Sequence, residues 1–452
     1  MNPLEPASSP GPPHREPASG TGPAHDLRPP AWRTLLPAGI LQLGLLAALG
    51  WWPGGTLPWP GLVLFLAAFG VYLWTAARLL RLQGGTRLIW WFAVALRLVF
   101  VPLEPTLSDD VYRYLWDGRV QAAGINPYLH APSAPELQEM RAPWHDRINN
   151  PDVPTIYPPA AQLLFLALAL AGGTILQAKL LFLGFDLAAG WVLGLVAGRT
   201  RRSRRLTWLL YLWSPLLVVE VAWSAHLEPV GLLGLALLLL LVHRKLAAGA
   251  ALALAVLTKL APAAALPPLT RHLGGRFAAA FLAVVALLYL PYLGAGGALW
   301  TGLGTYAEHW RFMEGPFVLL EAVVPEGRRS RMVAGGLVLA AVAGTTWGRF
   351  TPERALLWVL GAGMLLTPTL HPWYVLWMLP MAALRASRPW ILLSGLAFLG
   401  YFGLDTYQAT GIWPQPPWLR GLLWLPVLGL LVWEGLAASG RRSSGVLPEA
   451  SA

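Results

Sequence analysis

The chain contains no cysteine, which excludes disulfides and thiolate metal sites and says little about compartment. Charge is also scarce, at 12% of residues, while 56% are hydrophobic and the mean hydropathy is +0.53. Apolar runs near the ~20 residues needed to cross a bilayer recur along almost the whole length. That pattern excludes a soluble domain and predicts an all-α, polytopic integral membrane protein. No secretory leader is visible either: Met1 to Pro30 is rich in Pro, Gly, Ala and Ser, and the first apolar run starts at Leu35. A formal charge of +11 and a pI near 10.2 could suggest nucleic acid. The basic residues, however, sit mostly in short loops between apolar runs, as the positive-inside rule expects, so no nucleic-acid partner is expected. The 24 tryptophans suit interfacial belts, and some could stack on sugar rings.

Hydropathy and loop charge together divide the chain into a disordered Pro-rich tail (1–32), a membrane domain (33–437) and a basic tail (438–452), with both tails cytoplasmic. Spans are expected over Leu35–Trp52, Gly61–Ala77 and Leu88–Leu103, with the loop Arg78–Arg87 inside. Pro158–Gly172 is too short to cross and is expected to dip in and return, because crossing would put the Arg199–Arg205 cluster outside. Further spans run from Leu180 to Trp433, with Leu246–Leu269 broken at Lys259 and Pro262. The total is about 12 full spans plus two partial ones. Arg328, Arg329 and Arg331 fall outside, against the rule.

One acidic extracytoplasmic loop, 104–157, holds a large share of the scarce carboxylates. Its SDDVYRYLWDGRVQAAGINPY stretch predicts a helix with Ser108 as N-cap and Asp109 and Asp110 in the first turn, ended by Gly124. Asp110, Arg113, Tyr114 and Asp117 share one face of it. The plainer alternative is first-turn acids and a surface ion pair, but the helix starts only a few residues after a membrane exit. His226, Glu228 and His371 also fall at outer ends of spans, where each could instead simply cap a span. Tyr157 precedes a Pro-Pro helix start. Glu220, Asp186 and Lys259 lie deeper, as a transporter site or as buried polar residues paired with neighbouring helices.

SDDVYRYLWDGRVQAAGINPY followed by YPPAAQ resembles the first extracytoplasmic loop of bacterial GT-C glycosyltransferases, above all the polyprenol-phosphate-mannose-dependent mannosyltransferases. AWSAHLEPVGLLGLAL is similar to that family's GHNDAL-type stretch, with Glu228 where Asp is more usual. LTKLAPAAALP and TPTLHPWYVLWMLP extend the likeness over most of Leu35–Leu384. The resemblance implies a catalytic acid at Asp110 or Asp109, and a Tyr157-Pro-Pro helix beneath the lipid phosphate of the donor.

The expected function is therefore transfer of a hexose, mannose above all, from a polyprenyl-phosphate donor, with inversion, at the outer face of the plasma membrane. The acceptor would be a glycan, lipid or protein. A transporter or flippase of lipid-linked sugars is the alternative. Asp110 is the expected base, and Arg113, Tyr114, Asp117, Tyr157, His226, Glu228, Lys259, Arg311 and His371 are the candidate substrate contacts. Arg119 is a further candidate phosphate partner. No cofactor is expected, and no metal, because adjacent carboxylates on a helix diverge by about 100°.

Overall fold

The computed structural model describes residues 28–52, 59–348 and 350–443, so most of both expected tails lies outside the described residues. Among the described residues the structure is helical, with two isolated bridges and no strand. In chain order come α1 (Trp32–Gly50), α2 (Trp59–Leu79), α3 (Thr86–Leu98), α4 (Asp110–Ala122), α5 (Pro159–Leu170), α6 (Ile175–Arg199), α7 (Arg204–Leu212) and α8 (Pro215–Val218). A π turn (Val219–Trp223) leads to α9 (Glu228–Leu240), α10 (Lys245–Thr258), α11 (Leu266–Leu273), α12 (Gly275–Tyr289), α13 (Thr301–His309) and α14 (Phe317–Val323). The last elements are α15 (Gly327–Trp347), α16 (Pro352–Leu366), α17 (Leu379–Arg385), α18 (Arg388–Leu396), α19 (Leu404–Thr410) and α20 (Pro417–Ser443).

Among the described residues, five helical runs are long and apolar enough to cross a membrane: α1, α2, α6, Gly275–His309 and Pro417–Ala437. A sixth is the pair Arg204–Leu212 and Pro215–Trp223, bent by 51°. The expected dozen full spans are thus not present as uninterrupted helices. Proline is one physical cause, since it removes a backbone donor and clashes with the preceding turn. Pro215, Pro262 and Pro372 each stand at a break, and α5, α9 and α10 are apolar but only 12, 13 and 14 residues long.

Two interactions fix which loops share an end of the bundle. Arg205 donates to the carbonyls of Leu82 (2.8 Å) and Gly84 (2.7 Å), joining the two basic loops. At the other end, Lys179 in the second turn of α6 donates to the carbonyls of Phe100 (3.0 Å) and Leu103 (2.5 Å), beyond the end of α3. Between them α3 and α6 are clamped by a fully buried ion pair, Arg97 Nε to Asp186 Oδ2 at 2.5 Å. Asp186 is therefore a helix-pairing residue, and its partner is an arginine inside the third apolar run.

The loop from Glu104 to Tyr157 lies at the Lys179 end. Its helix α4 begins one residue later than expected: Asp109 occupies the N-cap position without a capping bond, and Ser108 precedes it. The Ser108 hydroxyl is engaged by His226 and accepts from the Asp110 N–H (3.3 Å), so it serves one free donor of the first turn from one residue before the N-cap position. Helix α4 ends before Gly124, whose φ of +79° suits glycine. α5 lies so close against α4 that a Cβ at Gly118 would overlap the Phe165 carbonyl oxygen. α5 leaves the cavity wall at Tyr157, and a capping box at Thr174 and Gln177 starts α6, whose Lys179 is again near residue 103. Arg331, unexplained by charge distribution, closes the end of α13 by donating to the carbonyls of Ala307 (2.8 Å) and Trp310 (3.0 Å).

Candidate active site

A cavity of about 310 Å³ opens at this end, walled by the segment before α4, the segment before α5, Lys259, and residues near 306–312, 371–374 and 401–413. Asp109 and Asp110 both line it. Asp110 is the better organised acid. Its Oδ1 accepts from Asn149 Nδ2 at 2.9 Å, its Oδ2 accepts from the Tyr157 hydroxyl at 3.3 Å, and His226 Nε2 lies 3.7 Å from Oδ2. Its side chain keeps 15% exposure, so the fixed carboxylate still reaches the cavity. Burial pushes the Asp109 carboxyl up against the opposing pull of Arg147, with the charge of Asp110 adding to the rise.

The candidate cations differ in what they have left to give. Arg113 lines the cavity, but its Nε donates to Asp117 Oδ1 at 2.9 Å, so this pair is buried rather than on the surface. Asp117 also accepts from Thr155 (2.5 Å) and Gln162 (2.9 Å) through Oδ2, and it does not line the cavity. It ties α4 to α5 and to the strand of chain between them. Lys259 lines the cavity, pairs with the fully buried Glu228 and lies 4.5 Å from the centroid of the Tyr374 ring. An ammonium has three donors, so this pairing leaves two for a ligand. Arg311 lines the cavity as well, but its guanidinium is spread over Glu314 (2.8 Å) and both oxygens of Glu321 (2.7 and 2.6 Å). Arg119 is exposed and off the cavity.

The remaining expected residues fall around this core. Tyr157 donates to Asp110 and packs edge-on to Tyr114, which stacks on Phe165 at 4.7 Å; Tyr114 is buried and shapes the wall from behind. His226 is fully buried, with Nδ1 3.0 Å from Glu220 Oε2. His371 lines the cavity between Phe312 (4.6 Å) and Trp373 (4.5 Å), ring on ring. Burial, with help from Lys259 and His226 and against the pull of Asp110, holds it down to about 3. That direction favours the uncharged ring at neutral pH. Sequence reading missed Asn149, Ser108 as a His226 partner, and Tyr401, whose hydroxyl donates to Glu220 at 2.8 Å. A second asparagine beside Asn150 was the only visible sign of the first. Among the described residues no group of three or more His, Asp or Glu is arranged to hold a metal ion.

Residues 36–275 match the family described as alpha-(1->6)-mannopyranosyltransferase, N-terminal domain, and residues 328–405 match the MptB C-terminal domain. No curated protein and no solved structure matches the chain. The first match covers more than half of the chain and includes the whole of the α4 and Tyr157 walls of the cavity, and the second includes His371 and Tyr401. The chain belongs to the alpha-(1→6)-mannopyranosyltransferase family, glycosyltransferases of the GT-C type.

Proposed function

We propose that the protein transfers mannose from a polyprenyl-phosphate donor to the 6-hydroxyl of a mannose-containing acceptor at the outer face of the plasma membrane. The observation that carries this reading is a fixed carboxylate, Asp110, lining one cavity with Lys259 and Arg113, both with donors still unassigned. In a single displacement the acceptor oxygen forms a bond to the anomeric carbon. Asp110 takes the hydroxyl proton, and the bond from that carbon to the phosphate oxygen breaks with its electron pair. Lys259 and Arg113 receive the charge that develops on the leaving phosphate. Inversion combined with an α product requires a β-linked donor. General-base help is worth roughly 10² to 10⁴-fold in rate, and stabilising the leaving anion contributes on a similar scale.

The membrane topology proposed with it counts the broken runs (Arg204–Trp223 and the pieces after Pro372) as interrupted spans. The loop 104–157 lies outside, and α5 returns to the side it left. Broken helices are tolerated at membrane depth where the freed backbone groups face protein or a cavity. Vesicles holding the purified protein, radiolabelled polyprenyl-phosphate mannose and a mannoside acceptor test the function. The expected result is label joined to the acceptor at C6. Donor carried intact to the other leaflet, with no transfer or hydrolysis, would establish the transporter alternative instead.

A further inference from the structure

Behind Asp110 lies a buried chain of groups that the displacement as written does not use. The Tyr401 hydroxyl donates to Glu220 Oε1 (2.8 Å) and Oε2 (3.0 Å). Glu220 Oε2 faces His226 Nδ1 at 3.0 Å, and His226 Nε2 lies 3.1 Å from Ser108 Oγ. Glu220 and His226 are both fully buried and neither lines the cavity. The backbone that carries them is irregular. Glu220 sits in the π turn, a feature that concentrates at functional sites, and Ala225 holds a φ of +59° just before His226. A non-glycine residue in that region is costly and persists only where its surroundings enforce it. Here the His226 N–H donates to the Glu220 carbonyl at 3.0 Å and closes the turn.

The hydrogen-bond arithmetic assigns the protons. A carboxylate only accepts, so His226 Nδ1 carries a hydrogen toward Glu220. Asp110 Oδ2 stands 3.7 Å from Nε2, so two carboxylates bracket one imidazole. The ring also lies on the face of Trp373, centroids 4.2 Å apart, an arrangement that favours a cation. Among the other charged neighbours Glu228 acts in the same direction, and Lys259 is paired with Glu228. His371 is held neutral. Burial alone pulls His226 down, but the Glu220 hydrogen bond and charge, then Glu228 and Asp110, leave it above its ordinary value. With both nitrogens protonated, Nε2–H donates to Ser108 Oγ, which also accepts from the Asp110 N–H at 3.3 Å. Both lone pairs of that oxygen are then filled, so its own hydrogen goes elsewhere, and Ser108 lines the cavity.

We propose that Tyr401, Glu220 and His226 form a positioning chain that holds His226 as an imidazolium, fixes Asp110, and turns the Ser108 hydroxyl into the cavity as a donor to an oxygen of the bound glycosyl phosphate. This rests on Asp110 being the base. The same three groups in the opposite sense, with a neutral ring accepting from Ser108, would make a nucleophilic triad, and the test separates the two.

Two readouts are followed from pH 5 to 9 in wild type, Glu220→Gln, Tyr401→Phe and Ser108→Ala: thermal unfolding in detergent without substrate, and mannosyl transfer with polyprenyl-phosphate mannose. A raised imidazole stabilises the fold below its unfolded pKa, and that stabilisation is lost as pH rises through the folded pKa. Glu220→Gln should move this loss, and the alkaline limb of kcat, down by about one pH unit or more. Tyr401→Phe should move both upward, because Glu220 loses a donor and becomes the stronger acceptor for His226. Ser108→Ala removes the acceptor of the His226 Nε2–H, so it should move both down by less than Glu220→Gln does, and it should raise the KM for the donor by about three- to tenfold, the effect of one hydrogen bond. Limbs that stay fixed in both Glu220→Gln and Tyr401→Phe would overturn the chain, as would covalent labelling of Ser108 by a fluorophosphonate. If Glu220→Gln does not fold, the upward shift in Tyr401→Phe carries the test. The unfolding readout involves no chemistry, so it stands or falls separately from Asp110 as the base.

Discussion

Asp117 offers a sharp test of the difference between a carboxylate that holds the site and one that works in it. Replacing it with Asn keeps the shape and removes the charge. Its partner Arg113 is then a buried cation, its side chain only 8% exposed, without a counter-charge. Breaking such a pair costs about 3 to 5 kcal/mol, because the remaining ion stays desolvated. The amide adds a second difficulty. Asp117 accepts at both oxygens, from Arg113 at one and from Thr155 and Gln162 at the other, and an amide can accept at only one of these positions. Unfolding by SDS titration in mixed micelles, followed by tryptophan fluorescence, should register the loss. The double variant Arg113→Met with Asp117→Leu should recover part of it, since no charge is then left uncompensated, although Thr155 and Gln162 lose the acceptor they share. An Asp117→Asn protein less than about 1 kcal/mol destabilised, with a raised KM for the donor, would refute this reasoning and return Asp117 to the substrate contacts.

Other consequences are as direct. Gly118→Ala should destabilise by about 1 to 3 kcal/mol in the same titration, because the methyl meets the Phe165 carbonyl of a packed helix. Asp109→Asn should cost less than about tenfold in transfer, because Asp109 lines the cavity without the Asn149 and Tyr157 bonds that fix Asp110. The Asp109 carboxyl is raised in the fold, so it opposes stability as pH rises through its titration, and the variant should gain on wild type in thermal unfolding as pH rises above the ordinary carboxylate range. In this cysteine-free chain, Ser133→Cys and Thr174→Cys should label from outside and Ser203→Cys only after permeabilisation; inside labelling at 174 alone would refute the proposed path of α5. Transfer should survive EDTA, and a loss restored by Mg²⁺ would show that the donor phosphate completes a metal site.

The site was legible in the sequence where local chemistry dictates it. Two acids at a helix start beside a membrane exit, a Tyr before a Pro pair, and a lysine interrupting an apolar run pointed to Asp110, Tyr157 and Lys259, and all three meet in one cavity. Pairings between residues far apart in the chain left no such trace. Nothing periodic ties Tyr401 to Glu220, or Arg97 to Asp186, because each partner is set by packing between helices. The π turn and the left-handed Ala225 were equally invisible, since neither has a composition of its own. Asp117 misled for a related reason. Sharing a face with Asp110 placed it correctly on α4, but Thr155 and Gln162 decide its hydrogen bonding, and they arrive from the far end of the loop and from α5.

The central claim is that Asp110 removes the proton from the acceptor hydroxyl. Asp110→Asn nearly preserves shape and lets Tyr157 and Asn149 keep their positions, so the fold and donor binding should be little changed. Mannosyl transfer at matched expression, with radiolabelled polyprenyl-phosphate mannose and a saturating mannoside acceptor, should fall by roughly 10²-fold or more. A folded Asp110→Asn protein that keeps transfer within about tenfold of wild type would contradict the account and place the base elsewhere, with Glu228 the next residue to replace.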